Sequence, residues 1–279
     1  MILLADSGST KTDWVLVNDG KKVKTFQTVG LNPYFFSTGE AIDILREPFG
    51  RHLDNCSVSH LYFYGAGCSS APKKAVIQDA LETLLPGVKA ETEHDLLAAA
   101  RALFGKKEGI AGILGTGSNS CVYDGEKITE QLFSLGYMFG DEGSGAHLGK
   151  TYIADHLKKR TPEEIRQAFV QTHGLSDEDI LTHIYKKASP NRFLASFTRF
   201  LKENIDNPYV YSLVKGCFDD YFREQICVFS EYQNKPFGCI GSIGFHFREV
   251  VEVSARESGV KPVQFMTSPI EGLIHYHTG

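Results

Sequence analysis

The feature that most constrains the fold is a strand-and-turn pattern that occurs twice in the chain. Residues 2–5 form an apolar run, a turn rich in Ser, Thr and Gly follows, and residues 13–17 form a second strand pattern that ends at the hairpin signal Asn18-Asp19-Gly20. The same order returns at residues 110–123, which are followed by the turn Asp124-Gly125. A supersecondary unit that is repeated within one chain predicts two related lobes.

The rest of the sequence alternates between strand and helix patterns, which is typical of the α/β class. Strands are expected at residues 61–64, 88–92, 237–240 and 263–266, and helices at residues 37–46, 72–85, from 95 onward and over most of 143–232. The pattern restarts after the polar run at residues 105–109. This predicts an N-terminal lobe at residues 1–108 and a C-terminal lobe with a helical insertion at residues 109–279.

Composition narrows the classes of protein further. The 279 residues are 42% hydrophobic, which is enough for two domains with a core each. A net charge of −5 excludes the basic surface of a nucleic-acid-binding protein, and no apolar run approaches the length of a membrane span. The N-terminus has no signal-peptide pattern, and the six scattered cysteines include no Cys-x-x-Cys pair. We therefore expect a cytoplasmic protein with reduced thiols and no structural zinc site.

The turn after the first strand, residues 6–12, has the residue types of an anion site. Gly8 permits a backbone conformation in which consecutive N–H groups point at one anion, and Asp6 suits a hydrated magnesium ion. Hydroxyl groups that add donors are those of Ser9, Thr10 and Thr12. An ordinary hairpin with a polar turn explains the same residues, so the motif alone leaves both interpretations open.

A second Gly/Thr turn, Gly115-Thr116-Gly117-Ser118, stands at the corresponding place in the second repeat. It is not a Walker loop, which needs Gly-Lys-Ser/Thr before a helix, and it is not a dinucleotide-binding fingerprint, because a strand follows it. Two such turns in corresponding halves are stronger support than one, since a phosphate chain held by two lobes needs donors from both.

Four further sites in the sequence carry residue types that suit a small ligand. The glycine-rich loop at residues 136–145 permits close backbone approach, and its acidic pair suits sugar hydroxyls or a metal, or it is a capping loop with Ser144 as the cap. Asp95 stands where a helix N-cap is expected, and an ionised carboxylate there can also accept a proton. Residues 238–244 suit an adenine or ribose, or form a plain turn, and residues 65–70 are a weaker candidate for lining a sugar pocket.

Taken in this order along nearly the whole chain, the motifs resemble the BadF/BadG/BcrA/BcrD ATPase family, which includes N-acetylglucosamine kinase. The stretch Gly140-Asp141-Glu142-Gly143-Ser144-Gly145 is the most specific match. The resemblance implies two ribonuclease-H-like lobes of the actin/hexokinase/Hsp70 type that close over ATP, Mg²⁺ and substrate. The implied activity is ATP-dependent phosphorylation of N-acetylglucosamine or a related amino sugar, at the 6-hydroxyl.

The resemblance also implies roles for individual residues. Asp95 would be the base toward the sugar hydroxyl, and Asp6 would hold magnesium through water. The sugar-binding residues would be Asn32, Ser118, Asn119 and Asp141. The ATP-binding residues would be Gly8, Ser9, Thr10, Lys11, Gly115, Thr116, Gly117, Gly241 and Ser242.

The chain departs from the kinase pattern at residues 133–136, Phe-Ser-Leu-Gly, where the kinase has a tryptophan-containing run. Contacts to the acetamido group, and with them the exact sugar, therefore stay open. Two other functions are also open: an ATPase that activates a 2-hydroxyacyl-CoA dehydratase through a shared iron–sulfur cluster, for which Cys121 is the only cysteine near the second turn, and a non-catalytic sugar or nucleotide sensor. The expected partner is a small-molecule sugar, with no nucleic acid, no membrane and a homodimer as a possible assembly.

Overall fold

The computed structural model describes residues 1–8 and 10–279. The chain divides into two compact units, Met1–Lys106 together with Pro269–Gly279, and Lys107–Ser268. They are named unit 1 and unit 2 below. The sequence boundary at 108/109 left the tail with the second lobe, whereas the structure packs Pro269–Gly279 with the first.

Unit 1 is built on a five-stranded sheet with the order β3-β2-β1-β4-β5. The first three strands are antiparallel neighbours, and β1, β4 and β5 run parallel. Its strands are β1 (Ile2–Ser7), β2 (Lys11–Asn18), β3 (Lys21–Val29), β4 (His60–Gly65) and β5 (Lys89–His94), and its helices are α1 (Thr38–Leu53), α2 (Ala71–Leu84), α3 (Asp95–Phe104) and α13 (Ile270–Thr278).

Helix α1 is longer than the sequence pattern predicted. It begins at the capping box formed by Ser37 and Glu40, and it continues past the expected end at residue 46 through Pro48 to Leu53. The apolar residues Ala41, Leu45, Phe49 and Leu53 recur every four residues and are buried. Burial of this stripe outweighs the local cost of proline in a helix, and local signals alone do not reveal it.

The aromatic core of unit 1 surrounds Trp14 on β2, which is fully buried. Its ring stacks on Phe26 with centroids 5.8 Å apart and meets Phe49 of α1 edge-on at 4.9 Å. The indole N–H donates to the Thr28 hydroxyl at 2.9 Å, so the one polar atom of the ring is satisfied. These contacts fasten α1 to the sheet.

The C-terminal tail, Pro269–Gly279, packs within unit 1 through a chain of polar contacts that no sequence pattern predicts. Arg101 of α3 donates to the Tyr64 hydroxyl at 2.7 Å, and that hydroxyl lies 2.8 Å from Nε2 of His277 on α13. The His277 ring also stacks on Tyr62 with centroids 3.7 Å apart. Two residues of β4 thus contact His277 of the last helix, and Arg101 of α3 bonds one of them, although at least 176 positions separate these residues from His277 in sequence.

Unit 2 repeats the same sheet with the order β10-β9-β6-β7-β8. Three antiparallel strands are again followed by parallel neighbours, now β6, β9 and β10. The strands are β6 (Gly109–Leu114), β7 (Ser118–Tyr123), β8 (Ile128–Gln131), β9 (Pro236–Ile240) and β10 (Lys261–Met266). The matching topology confirms the prediction of two related α/β lobes.

The helical part of unit 2 follows β8 and precedes β9, as expected for residues 143–232. The helices are α4 (Gly136–Phe139), α5 (Gly145–Leu157), α6 (Glu163–His173), α7 (Asp177–Lys186), α8 (Pro190–Ser196), α9 (Thr198–Glu203) and α10 (Pro208–Tyr221), with a π-helical turn (Phe222–Ile226), and then α11 (Ser242–His246) and α12 (Arg248–Glu257). Among the described residues, no helix combines the length and the apolar character that crossing a membrane requires.

Candidate functional site

Asp6 lies near the end of β1, where neighbouring strands bring other carboxylates close. It stands opposite Asp13 in the antiparallel register with β2. Burial raises the pKa of Asp6 to about 7, and the negative charges of Asp95 and Asp13 act in the same direction, against a smaller opposing effect of Lys11. A cation at this position would relieve the repulsion between these carboxylates. No group of three or more His, Cys, Asp or Glu that would coordinate a metal directly occurs in the described part of the chain.

The turn between β1 and β2 is closed by backbone hydrogen bonds. The Gly8 N–H donates to the Lys11 carbonyl at 3.0 Å, and the Thr10 carbonyl accepts from the Gly30 N–H at 3.0 Å. The Lys11 ammonium lies 2.9 Å from Asp13 and is 57% exposed, so the ion pair is weak and leaves the amine accessible. Ser9, predicted to bind ATP phosphates, lies outside the described residues.

The expectation that the Thr12 hydroxyl adds a donor to an anion site is wrong. The hydroxyl is buried and donates to the Val29 carbonyl at 3.0 Å. It therefore accepts from the Ser7 hydroxyl 2.8 Å away, and Ser7 in turn accepts from the Leu31 N–H at 2.9 Å. This buried relay holds the segment after β3 beside the end of β1, and the next residue along is Asn32.

The Asn32 side chain is held against the turn that follows β4. Its Oδ1 accepts from the Tyr34 N–H at 3.0 Å, which leaves the amide nitrogen to donate to a ligand. Gly67 has a φ of +84°, and a Cβ at that position would lie 2.3 Å from Oδ1 of Asn32. The turn at residues 65–70, the weaker candidate for lining a sugar pocket, therefore contacts the predicted sugar-binding asparagine, and only glycine leaves space for it.

The prediction that Asp95 is the N-cap of α3 is wrong, because Asp95 is the first residue of the helix itself. The cap is His94, since its ring rather than the carboxylate bonds the first turn: Nδ1 lies 3.2 Å from the Leu96 N–H. The same Nδ1 lies 2.9 Å from Oδ1 of Asp95. Burial lowers the pKa of His94, but the bond and charge of Asp95 outweigh it, so the pKa is raised overall. Freed from capping, the Asp95 carboxylate is available for chemistry.

In unit 2 the glycine-rich turn between β6 and β7 is held by the start of α5. The Gly115 N–H donates to the Gly117 carbonyl at 3.0 Å, which closes the turn. The Gly115 carbonyl accepts from the Gly145 N–H at 2.8 Å, and the Thr116 carbonyl accepts from the next residue of α5 at 3.1 Å. Ser144 caps α5 by accepting from the His147 N–H, as predicted. The second and third sequence motifs are therefore in direct contact.

Asp141 lies in a strained backbone conformation at the centre of this cluster. Its φ is +58°, which is uncommon for a residue other than glycine and is typical of functional sites. Oδ1 accepts from the Ser118 N–H at 3.3 Å, and burial raises the pKa of the carboxyl, with the Ser118 bond opposing. The Ser118 hydroxyl beside it is buried without a hydrogen-bond partner among the described residues, and the Asn119 side-chain oxygen accepts from the Ser120 N–H at 2.9 Å. A buried hydroxyl without a partner is uncommon in folded proteins, so it marks this cluster as a candidate site.

The predicted adenosine motif also reaches this cluster. Gly241 connects β9 to α11 with a φ of +122°, and a Cβ there would lie 2.3 Å from the carbonyl oxygen of Leu114. Ser242 is the first residue of α11. Because Leu114 immediately precedes the Gly115 turn, Gly241 and Ser242 lie beside the predicted phosphate site. Within unit 2 the structure thus joins all three predicted segments.

Sequence reasoning missed the partner of Glu142, the second acid of the loop. The Glu142 carboxylate accepts from the Gln225 side-chain amide at 2.8 Å. Gln225 is presented by the π-helical turn after α10, and such turns are frequent at functional sites. No local sequence signal marks this turn, so the contact could not be predicted from the residues alone.

The structure also shows the surroundings of Cys121 and of the run at residues 133–136. Cys121, the only cysteine near the second turn, is fully buried in β7, which does not suit a cluster shared between subunits. In the run that replaces the kinase's tryptophan segment, Phe133 is 88% exposed and Leu135 is 58% exposed. This run therefore presents apolar side chains that the unit 2 core does not cover.

Comparison with known proteins agrees with this geometry. No family model matches the chain. The crystal structure of the putative N-acetylglucosamine kinase from Porphyromonas gingivalis is 44% identical, covers 100% of this chain and 99% of its own, and superposes with a TM-score of 0.95. The putative N-acetylglucosamine kinase from Chromobacterium violaceum is 16% identical with a TM-score of 0.76 over 99% of this chain and 98% of its own, and it supports the fold alone.

A curated relative extends the comparison. The N-acetylmuramic acid/N-acetylglucosamine kinase of Clostridium acetobutylicum is 30% identical over 157 residues, which are 54% of this chain. The match spans about half, 50%, of the length of that relative.

Two β-sheets of one topology, each with a glycine-containing turn between its first two strands, give the chain the fold of the sugar kinases to which it is similar. The Porphyromonas gingivalis protein matches 100% of this chain at 44% identity, which narrows the class to its own family. The chain belongs to the family of the Porphyromonas gingivalis putative N-acetylglucosamine kinase.

Proposed function

We propose that the protein is an ATP-dependent kinase that phosphorylates N-acetylglucosamine or a related amino sugar, at the 6-hydroxyl. The observation that carries the proposal is Asp95, whose carboxylate stands at the first turn of α3, near the carboxylate of Asp6 and free of a capping role. A full-length relative at 44% identity supports the substrate class.

In this proposal Asp95 is the general base. Its carboxylate stands at the positive end of a helix, where negative charge is stabilised, and a carboxylate can accept the proton of the attacking sugar hydroxyl. Phosphoryl transfer has a loose transition state, and catalysis depends mainly on positioning and charge stabilisation. The carboxylate therefore orients the hydroxyl as much as it removes the proton.

The remaining predicted residues divide by ligand. The amide of Asn32, the hydroxyl of Ser118, the amide of Asn119 and the carboxylate of Asp141 would bind sugar hydroxyls. The residues assigned to ATP are Gly8, Ser9, Thr10, Lys11, Gly115, Thr116, Gly117, Gly241 and Ser242. The N–H groups of Gly8, Gly115 and Gly241 already donate within the fold, so the other donors of this set would meet the phosphate oxygens.

Asp6 is the residue proposed to hold Mg²⁺, through water. Its environment fits the ion, because burial and the neighbouring acids Asp95 and Asp13 raise its pKa to about 7 and a divalent cation would offset their repulsion. When bound, the ion would neutralise phosphate charge in the transition state.

The proposal is tested by coupled measurement of ADP release with a panel of acceptors: N-acetylglucosamine, N-acetylmannosamine, N-acetylmuramic acid, glucosamine, glucose and no sugar. We expect release that depends on one or more of the N-acetylated sugars. Asp95→Asn should abolish turnover and retain ATP binding, whereas Asp43→Asn, which changes an exposed carboxylate on α1, should behave as the wild type. Binding of ATP and sugar without ADP release would instead identify a sensor, and the kinase proposal would be abandoned.

A further inference from the structure

His94 occupies a position that the proposed chemistry has not yet used. It is the last residue of β5, and it immediately precedes Asp95 in the chain. Its side chain is 16% exposed and lies against the Asp95 carboxylate, with Nδ1 2.9 Å from Oδ1. Oδ1 is buried and, in the observed geometry, accepts no hydrogen bond from the described residues, so the short contact with the imidazole would become its hydrogen bond when Nδ1 carries a proton.

Nδ1 of His94 has two neighbours, one of which needs a hydrogen-bond acceptor and the other a donor. The Leu96 N–H, 3.2 Å away, requires Nδ1 to accept, whereas Oδ1 of Asp95 requires it to donate. An accepting Nδ1 would direct a lone pair at a carboxylate oxygen. The shorter distance and the charge of the carboxylate favour the donating state. The raised pKa of His94, in which the bond to Asp95 outweighs burial, agrees with it.

This contact also separates the two oxygens of the carboxylate. Oδ1 is buried beside the imidazole, while the Asp95 side chain as a whole is 27% exposed. Of the two oxygens, only Oδ2 can therefore be accessible to a ligand. A carboxylate fixed through one oxygen cannot rotate freely, so the direction of the other is set as well.

We propose that His94 is a positioning residue for Asp95: its Nδ1–H holds Oδ1 and leaves Oδ2 as the oxygen that acts on the sugar hydroxyl. This inference rests on the proposed kinase function. In the step, the hydroxyl O–H bond breaks and its proton passes to Oδ2. The hydroxyl oxygen forms a bond to the γ-phosphorus of ATP, and the bond to the β-bridging oxygen breaks, with its electron pair leaving on ADP.

His94 could instead serve only to cap α3. Two substitutions distinguish that structural role from the positioning role. Serine and asparagine are both good N-caps, so His94→Ser and His94→Asn should both keep the helix and the melting temperature. Serine is too short to reach Oδ1 of Asp95, whereas the asparagine amide can donate to it.

The kinetic test compares these two variants with the wild type on the most active sugar. We expect His94→Ser to lower kcat by at least about tenfold with a sugar KM within about threefold of the wild type, since misplacing a reacting group mainly affects the chemical step. His94→Asn should recover most of that loss. Equal kcat for His94→Ser and wild type, or equal losses in both variants alongside equal falls in melting temperature, would overturn the positioning role.

A second test does not depend on catalysis. In protein labelled with ¹⁵N-histidine, the pKa of His94 is followed by NMR without substrates. Besides Asp95, the charged groups that face the ring are Lys74 of α2 and Glu93 of β5. We expect Asp95→Asn to lower the pKa of His94 clearly and Asp43→Asn to leave it unchanged. An unchanged pKa in Asp95→Asn would refute the contact even if the protein proves to be an active kinase, and a lowered pKa would uphold the contact even if it is not.

Discussion

Replacing Gly67 with alanine tests the assignment of Asn32 to the sugar. The new Cβ would lie 2.3 Å from Oδ1 and 2.9 Å from Cγ of Asn32, about 1 Å closer than an ordinary van der Waals contact. The Asn32 amide must therefore move by about 1 Å or rotate away from its bond to Tyr34. The substitution thus displaces the proposed binding group without removing it.

The expected magnitude follows from the hydrogen bonds that this amide would make. Losing one or two neutral hydrogen bonds costs about 1–2 kcal/mol, which corresponds to a rise in the sugar KM of about tenfold. The KM for ATP should stay within about twofold, because no predicted ATP contact is displaced. Gly67 also has a φ of +84°, so alanine adds backbone strain of about 1–2 kcal/mol to the fold.

Gly87→Ala is the matched control for that strain. Gly87 belongs to the same unit and has a φ of +85°, and a Cβ added there would meet no described atom within 4 Å. Both variants should lose the stability that backbone strain costs in urea unfolding, and Gly67→Ala should lose more because its Cβ also displaces the Asn32 amide. Only Gly67→Ala should lose sugar affinity in steady-state kinetics, and a normal sugar KM in that variant would refute the role assigned to Asn32.

Three further predictions concern unit 2 and the tail. Gly241→Ala would place a Cβ 2.3 Å from the carbonyl oxygen of Leu114, the last residue of β6, so ATP affinity should fall by about tenfold or more in equilibrium binding. Gly259→Ala is the control: Gly259 also has a positive φ, but a Cβ there would meet only the flexible side chain of Gln233, so ATP affinity should not change. Asp141→Asn should raise the sugar KM by about 10- to 100-fold, the range for a hydrogen bond to a charged group, and an unchanged KM in steady-state kinetics would exclude a direct contact. Burial, and next the charge of Arg101, lower the pKa of His277 from 6.5 to about 4. The neutral ring therefore contributes to the free energy of unfolding above pH 6.5, and this contribution is lost as the pH falls toward 4. We expect about 1–3 kcal/mol of unfolding free energy to depend on this group, measured by urea unfolding between pH 4.5 and 7.5; His277→Gln should remove that dependence and His275→Gln should not, and equal pH slopes in both variants would contradict it.

The parts of the fold that were predictable share one property, which is that their signals are local. The repeated strand-and-turn units, the strands near residues 61–64 and 237–240, and the cap at Ser144 were read from adjacent residues and are confirmed. The length of α1 and the placement of the tail depend on tertiary burial, which has no local signal.

In the candidate site, too, local sequence signals predict the motifs, whereas the contacts between them depend on tertiary structure. The glycine-rich turns and acids were identifiable because ligand-binding backbones need particular residue types at short spacing. Their mutual contacts, such as Gly145 with Gly115, depend on the fold. The inward turn of the Thr12 hydroxyl and the placement of His94 at the N-cap position of α3 depend on it as well. The cytoplasmic location and a homodimer remain predictions.

The central claim is that this chain transfers a phosphoryl group from ATP to an amino sugar. The most direct test is ³¹P NMR of a mixture of the protein, ATP, Mg²⁺ and N-acetylglucosamine, with N-acetylmuramic acid and N-acetylmannosamine in parallel. We expect a new phosphomonoester signal coupled to the C6 protons of a sugar, formed in equal amount with ADP and absent with Asp95→Asn. Consumption of ATP to ADP and inorganic phosphate alone, or no consumption with any of these sugars, would contradict it.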